Sequence, residues 1–128
     1  FWREVRDLHY FAHDMKRHIW RISVPPSTGS KVALQILEEA DGEVLYDWAG
    51  GLVWLALEPS DTAHAEIVRH FVSEVDGYAT LFRAPDNIRH TISVFQPLKG
   101  AFANISKRIK EGFDPNRVLN PGRMYKET

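Results

Sequence analysis

The chain contains no cysteine. That excludes disulfides, a thiol nucleophile, a thiolate-held iron–sulfur cluster and a cysteine-type zinc site. It fits a reducing compartment without requiring one. A surplus of positive charge is also missing. Lys and Arg number 16 against 17 Asp and Glu, for a formal net charge of −1. The basic residues are scattered, so the electrostatic footprint of a nucleic-acid binder is absent. No apolar run approaches the roughly 20 residues of a membrane-spanning helix. Phe1–Asp7 mixes charge with aromatics and no apolar stretch follows, unlike a signal peptide. Neither a Gly-x-Gly-x-x-Gly phosphate loop nor a Gly-x-Ser-x-Gly nucleophile elbow occurs.

What is present suits one globular domain, residues 1–128, with 44% hydrophobic and 26% charged residues. A chain of this length closes a core without a disulfide or metal staple. It opens on Phe1 inside a helical pattern rather than on Met, and reads as a fragment or processed product.

Periodicity divides the chain. Phe1, Val5, Leu8 and Ala12 fall at helical spacing. Trp20, Ile22 and Val24 alternate with Arg21 and Ser23, a strand that Pro25-Pro26 ends. Ala33, Ile36, Leu37 and Ala40 form a helical stripe, stopped by Asp41-Gly42. Glu43–Trp48 and Leu52–Leu57 are strand-like, joined at Ala49-Gly50-Gly51 by a hairpin turn. Ser60 or Asp61 caps a helix striped by Ile67, Val68, Phe71, Val72 and Val75. Tyr78–Arg83 is a fourth strand, and Pro85 to His90 a loop. Leu98–Phe113 carries Phe102, Ile105 and Ile109 as a last stripe, and an irregular tail runs from Asp114 to Thr128, expected to pack Val118 and Leu119.

The order β-α-β-β-α-β predicts an α+β, ferredoxin-like split βαβ fold. A four-stranded antiparallel sheet carries both crossover helices on one face, with a further helix at each terminus. Right-handed crossovers put the first and third strands in the centre. The other face then needs a cover: the terminal helices, a second copy in a homodimer, or a partner domain.

Three groups of residues invite chemistry. Arg21 and Arg83 sit on neighbouring strands, where two guanidiniums can clamp a carboxylate. The alternative is ordinary ion pairing with Asp47, Glu58 or another carboxylate. His9 and His13 have the i, i+4 spacing of two metal ligands but no evident third ligand, so no metal site is expected. Trp20, Trp48 and Trp54 read as packing residues, in the core or between domains. The tail has the strongest pattern, two Pro turns around a short apolar stretch, in which Gly122 lets backbone approach a ligand. A plain C-terminal wrap is the competing reading.

Phe113-Asp-Pro-x-x-x-Leu119-Asn-Pro-Gly-Arg123 resembles the terminal signature of FAD-linked oxidases of the vanillyl-alcohol-oxidase type. Trp20-Arg-Ile-Ser-Val-Pro-Pro26, Asp47-Trp-Ala-Gly-Gly51 with Trp54-Leu55, and Gly77-Tyr-Ala-Thr-Leu-Phe-Arg-Ala-Pro85 resemble the FAD-binding subunits of bacterial glycolate oxidases. The four blocks span Trp20 to Tyr125. The resemblance implies a longer parent whose pyrophosphate-binding domain lies N-terminal to this segment. It implies a C-terminal substrate or cap domain, inactive alone, of an enzyme that oxidises a small 2-hydroxy acid such as glycolate with FAD. Carried over residue by residue, Asn120, Pro121, Gly122 and Arg123 are the flavin-proximal candidates; Arg21 and Arg83 are the substrate-side candidates on their strand placement alone. No catalytic residue is assigned. The partners implied are a second flavoprotein subunit and an iron–sulfur subunit. The implied location is the cytoplasm, or the inner membrane's surface through the complex.

The rival reading is a free-standing ferredoxin-like module that binds a small ligand or a protein, and fold alone supports it weakly. An RNA platform is disfavoured, since Gly51–Leu57 lacks the basic residue and paired aromatics of one.

Overall fold

A computed structural model describes residues 1–125. The elements run α1 (Trp2–Arg6), α2 (His9–Ala12), β1 (His18–Ser23), α3 (Gly29–Glu39), β2 (Gly42–Asp47), β3 (Leu52–Leu57), α4 (Ala65–Ser73), β4 (Tyr78–Arg83), α5 (Asp86–Thr91) and α6 (Gly100–Phe113). The fold is α+β and ferredoxin-like. Its sheet has the order β2-β3-β1-β4, with every pairing antiparallel. The first and third strands are central, as the crossover argument requires.

Alternation decides the two faces. Trp20, Ile22, Val53, Leu55, Leu57, Ala79 and Leu81 point one way and bury against Val32, Ala33 and Ile36 of α3 and Val68 and Val72 of α4. Trp20 is fully buried, and its indole Nε1 donates to the Ala63 carbonyl at 2.9 Å. That bond fixes the one polar atom such a large side chain brings into a core. Gly29 opens α3 where the chain touches itself: a Cβ there would lie 2.0 Å from the Gly50 carbonyl oxygen.

The opposite face holds Ile19, Leu52, Trp54 and Ala56, closed by Leu8 and Phe11 from the N-terminal segment. The cover comes from a terminal helix, though not one continuous helix. Leu8 adopts a left-handed conformation (φ 47°) that separates α1 from α2. The break sets Phe11 and Leu8 against the same patch of sheet. Phe82, edge-on to Trp54, stays exposed, so the cover is partial.

Four expectations need correction. Asp86 to His90, read with Pro85 as a loop, lie in α5, because Ile88 turns into the core and Pro85 starts the helix without needing an N–H. Trp48, read as packing in the core or between domains, does not join the core: it is 71% exposed on the β2–β3 turn, where Trp48, Ala49 and Gly50 all have positive φ. Val118 and Leu119 are exposed rather than packed. The stripe of α6 forms as a helix but finds no core: Phe102 is 76% exposed, Phe113 86%, and Ile105 and Ile109 are also exposed. Among the described residues no helix is long and apolar enough to cross a membrane.

Candidate functional site

β1 and β4 bring the two arginines to one face. Arg21 pairs with Thr80 and Ile19 with Arg83, while Trp20 pairs with Leu81. Phe82 is thus the extra residue of a β-bulge. Strict alternation would send Arg83 toward the buried core with Leu81. The bulge turns it instead to the face that carries Ile19 and Arg21, a local re-aiming that bulges commonly provide.

The two guanidiniums have different neighbours. Arg21 lies over the Trp54 ring, 5.9 Å from its centroid. Trp54 in turn meets Phe82 edge-on at 5.1 Å. Arg83 Nη2 donates to the Phe11 carbonyl at 2.7 Å and to the Asp14 carbonyl, tying the N-terminal segment to β4. Neither arginine meets a carboxylate among the described residues. The carboxylates considered for them are engaged elsewhere: Asp47 accepts from the Trp48 N–H at 2.7 Å, and Glu58 pairs with Arg17 at 2.8 Å. Arg17 also reaches Asp14 and Glu43, each at 3.1 Å, and is the residue that carries this ion network.

The tail is organised by a residue that motif reading passed over. Asp114 is only 6% exposed although its carboxylate is ionisable. It accepts from Lys110 Nζ at 2.6 Å and from the backbone N–H groups of Val118 and Leu119 at 2.8 and 2.9 Å. Lys110 Nζ also reaches the Leu119 carbonyl at 2.6 Å. The Lys110 hydrogen bond and those backbone donors hold the Asp114 pKa down to about 2 against the burial that opposes them. Asp-Pro-x-x-x-Leu is therefore a side-chain-held turn, its carboxylate placed just past α6 where it takes the N–H groups of the chain that follows the helix. Beyond it, Arg123 N donates to the Asn120 carbonyl at 3.2 Å, closing a turn over Pro121 and Gly122. Gly122 has φ 68°, which suits the third place of a type II turn. Among the described residues no atom lies within 4 Å of where its Cβ would sit, so that side of the backbone is open to them.

Gly122 and Arg123 border a cavity of about 570 Å³ between α6, the 92–98 loop and the tail; Asn120 and Pro121 do not. The Arg21–Arg83 pair does not border it either. The sequence-derived candidates therefore fall into two places, the open sheet face and the tail. Arg69, unremarked in the sequence, braces the cavity's loop. Its Nη2 donates to the Ser93 and Phe95 carbonyls, and its guanidinium stacks 5.6 Å from the Trp20 ring centroid. Nothing in its sequence context distinguishes it from a solvent-facing helix arginine.

The histidines do not assemble a metal site. His9 and His13 meet edge-on with ring centroids 4.8 Å apart. Among the described residues no three His, Asp or Glu side chains come together as a ligand set. His18 is 2% exposed with its Nδ1 unpartnered, and burial, helped by nearby His64, lowers its pKa.

With this geometry in place, the chain can be set beside known proteins. It is 31% identical over 127 residues to glycolate oxidase subunit GlcE of Escherichia coli (strain K12). The chain is similar to that subunit over nearly all of its own length. The resemblance carried by the four motif blocks is borne out by that match. The alignment takes in 99% of this chain, body and tail alike, but 31% of the bacterial subunit, so the chain spans about a third of its relative's length. No family model matches. No solved structure matches.

Proposed function

We propose that residues 1–128 form the C-terminal domain of an FAD-dependent 2-hydroxy-acid oxidase subunit that completes a flavin and substrate site whose larger part lies on another domain. The observation that carries this reading is the full-length likeness to a glycolate oxidase subunit about three times as long. The exposed stripe of α6 supports it, because four large apolar side chains on one helix face call for a surface outside the described residues.

The fit to FAD is that of a contributing wall. The Asn120–Arg123 turn offers an open glycine and a cation to a flavin edge or phosphate. It does not offer the cluster of N–H donors that a pyrophosphate needs. When bound, FAD supplies the two-electron oxidation. Arg21 and Arg83 hold the carboxylate of a small 2-hydroxy acid, using guanidinium charge that no described carboxylate neutralises. The reading brings with it a second flavoprotein subunit, an iron–sulfur subunit, a cytoplasmic or membrane-peripheral complex, and inactivity of residues 1–128 alone.

The test is co-purification of the full-length parent with its sister subunits and a flavin spectrum of each. Flavin should accompany the full-length chain and be absent from residues 1–128. A stoichiometric yellow complex of residues 1–128, or a parent with no flavin-type domain, overturns the reading. Arg21→Ala sharpens it, since among the described residues the Arg21 side chain makes no hydrogen bond to backbone whereas Arg83 also anchors Phe11 and Asp14. In the complete enzyme, Arg21→Ala should raise KM for the acid while this domain melts within a few degrees of the parent. Equal loss of stability and activity makes Arg21 a structural residue.

A further inference from the structure

We propose that the cavity between α6, the 92–98 loop and the tail binds a small molecule that presents an oxyanion, phosphate or carboxylate, on an apolar body. Gly122 and Arg123 of the turn offered to the flavin border this cavity, and Arg89 and Lys107 add cations that the oxidase reading does not use. At about 570 Å³ the cavity falls in the size range of small-molecule sites. Its charge is one-sided. Arg89 from α5, Lys107 from α6 and Arg123 from the tail converge on it, and no Asp or Glu among the described residues lines it. This departs from a chain whose overall balance is −1.

Among the described residues these cations have few partners. The side chains of Arg89 and Arg123 make no hydrogen bond or ion pair among the described residues. Lys107 meets only Glu111, at 3.9 Å and with both side chains more than half exposed, an arrangement that solvent weakens. Three like charges from three separate segments repel one another unless an anion lies between them. Two planar guanidinium forks and an ammonium suit the oxygens of a phosphate or carboxylate. Val94 and Leu98 supply the apolar wall.

The walls are held in place before any ligand arrives. Arg69 fastens the loop through the Ser93 and Phe95 carbonyls. The Leu81 N–H donates to the Val94 carbonyl at 2.8 Å, joining the loop to β4. The tail is fixed by Lys110 to the Leu119 carbonyl and by the Tyr78 and Tyr125 hydroxyls, 3.3 Å apart. Such preorganisation lowers the ordering cost of binding.

Because α3, α4 and the sheet close their own core, the 128-residue chain can be titrated directly, away from any nucleotide site on another domain. ADP probes the phosphate source and benzoate the carboxylate source, followed by NMR of backbone amides. Binding should move the amides of residues 89–94, 104–107 and 122–125 and leave Leu55 in the core unmoved. The double variant R89Q/R123Q should weaken the bound probe by about tenfold or more, two charge-assisted contacts being lost. Response to ADP alone assigns a phosphate ligand, response to benzoate alone a carboxylate, and response to both keeps the shared chemistry. If the double variant does not fold, Lys107→Gln and a fall in affinity with added salt test the same charges. No response to either probe, or an unchanged Kd in the folded variant, overturns the proposal.

Discussion

The α3–α4 side of the sheet and the C-terminal arm are written in the same amphipathic code and end differently. In α3 and α4 the apolar stripe is buried against Trp20, Ile22 and Leu55. In α6 an equally regular stripe, Phe102, Ile105, Ile109 and Phe113, stays in the open. The arm is nevertheless ordered by polar means, with Asp114 and Lys110 gathering the backbone groups that follow the helix. Period tells that a helix has an apolar face; it does not tell what that face meets. The body is held by burial, the arm by one ionised side chain and its donors.

The contrast breaks most sharply at Trp20. Trp20→Ala removes the largest buried side chain and strands the Ala63 carbonyl. It should cost about 3–5 kcal/mol in urea denaturation, as large aromatic truncations in cores do. A loss near zero would mean that the body is not the seat of stability.

Gly29→Ala comes next. Its Cβ would meet backbone, the Gly50 carbonyl, so no rotamer change relieves the clash. A loss of about 1–3 kcal/mol is expected from such overpacking. An unchanged melting curve would show that the α3 start and the β2–β3 turn move apart freely.

Asp114 should affect the arm alone. Its pKa stands at about 2 against an ordinary 3.8, so it favours the ordered tail fully above 3.8 and loses that influence as pH falls toward 2. Hydrogen exchange at the Val118 and Leu119 amides should accelerate across that window, and Asp114→Asn should reproduce the change at neutral pH. Protection that persists in Asp114→Asn would assign the tail's order to other contacts.

The smallest effect belongs to the α6 stripe. Phe102→Ser with Ile109→Ser should leave the stability of residues 1–128 within about 0.5 kcal/mol, as exposed substitutions usually do. The same pair should weaken assembly in the full-length protein. A large loss in the isolated chain would place a core under α6 and erase the distinction between the two regions.

The sheet and its two crossover helices were legible from local information. Alternation at Trp20–Val24, the stripes of α3 and α4 and the Gly-containing turns each specify an element, and the handedness of crossovers orders the strands. The turn at Asn120–Gly122 was legible for the same reason, since Pro and Gly fix their own backbone angles. Tertiary structure alone decided the rest. The bulge at Phe82 sends Arg83 to the face of Arg21, and alternation cannot show an inserted residue. Leu8 breaks the first helix so that Phe11 can cover Trp54, a choice made by a distant strand rather than by the helix. Asp114 is a turn residue by composition and an anchor only because the chain brings Lys110 and two N–H groups to it. Arg89, Lys107 and Arg123 are 18 and 16 positions apart in sequence, and only the folding of α5, α6 and the tail around one cavity makes them neighbours. Elements follow from nearest-neighbour sterics and period, whereas sites follow from contacts between segments, which no local pattern encodes.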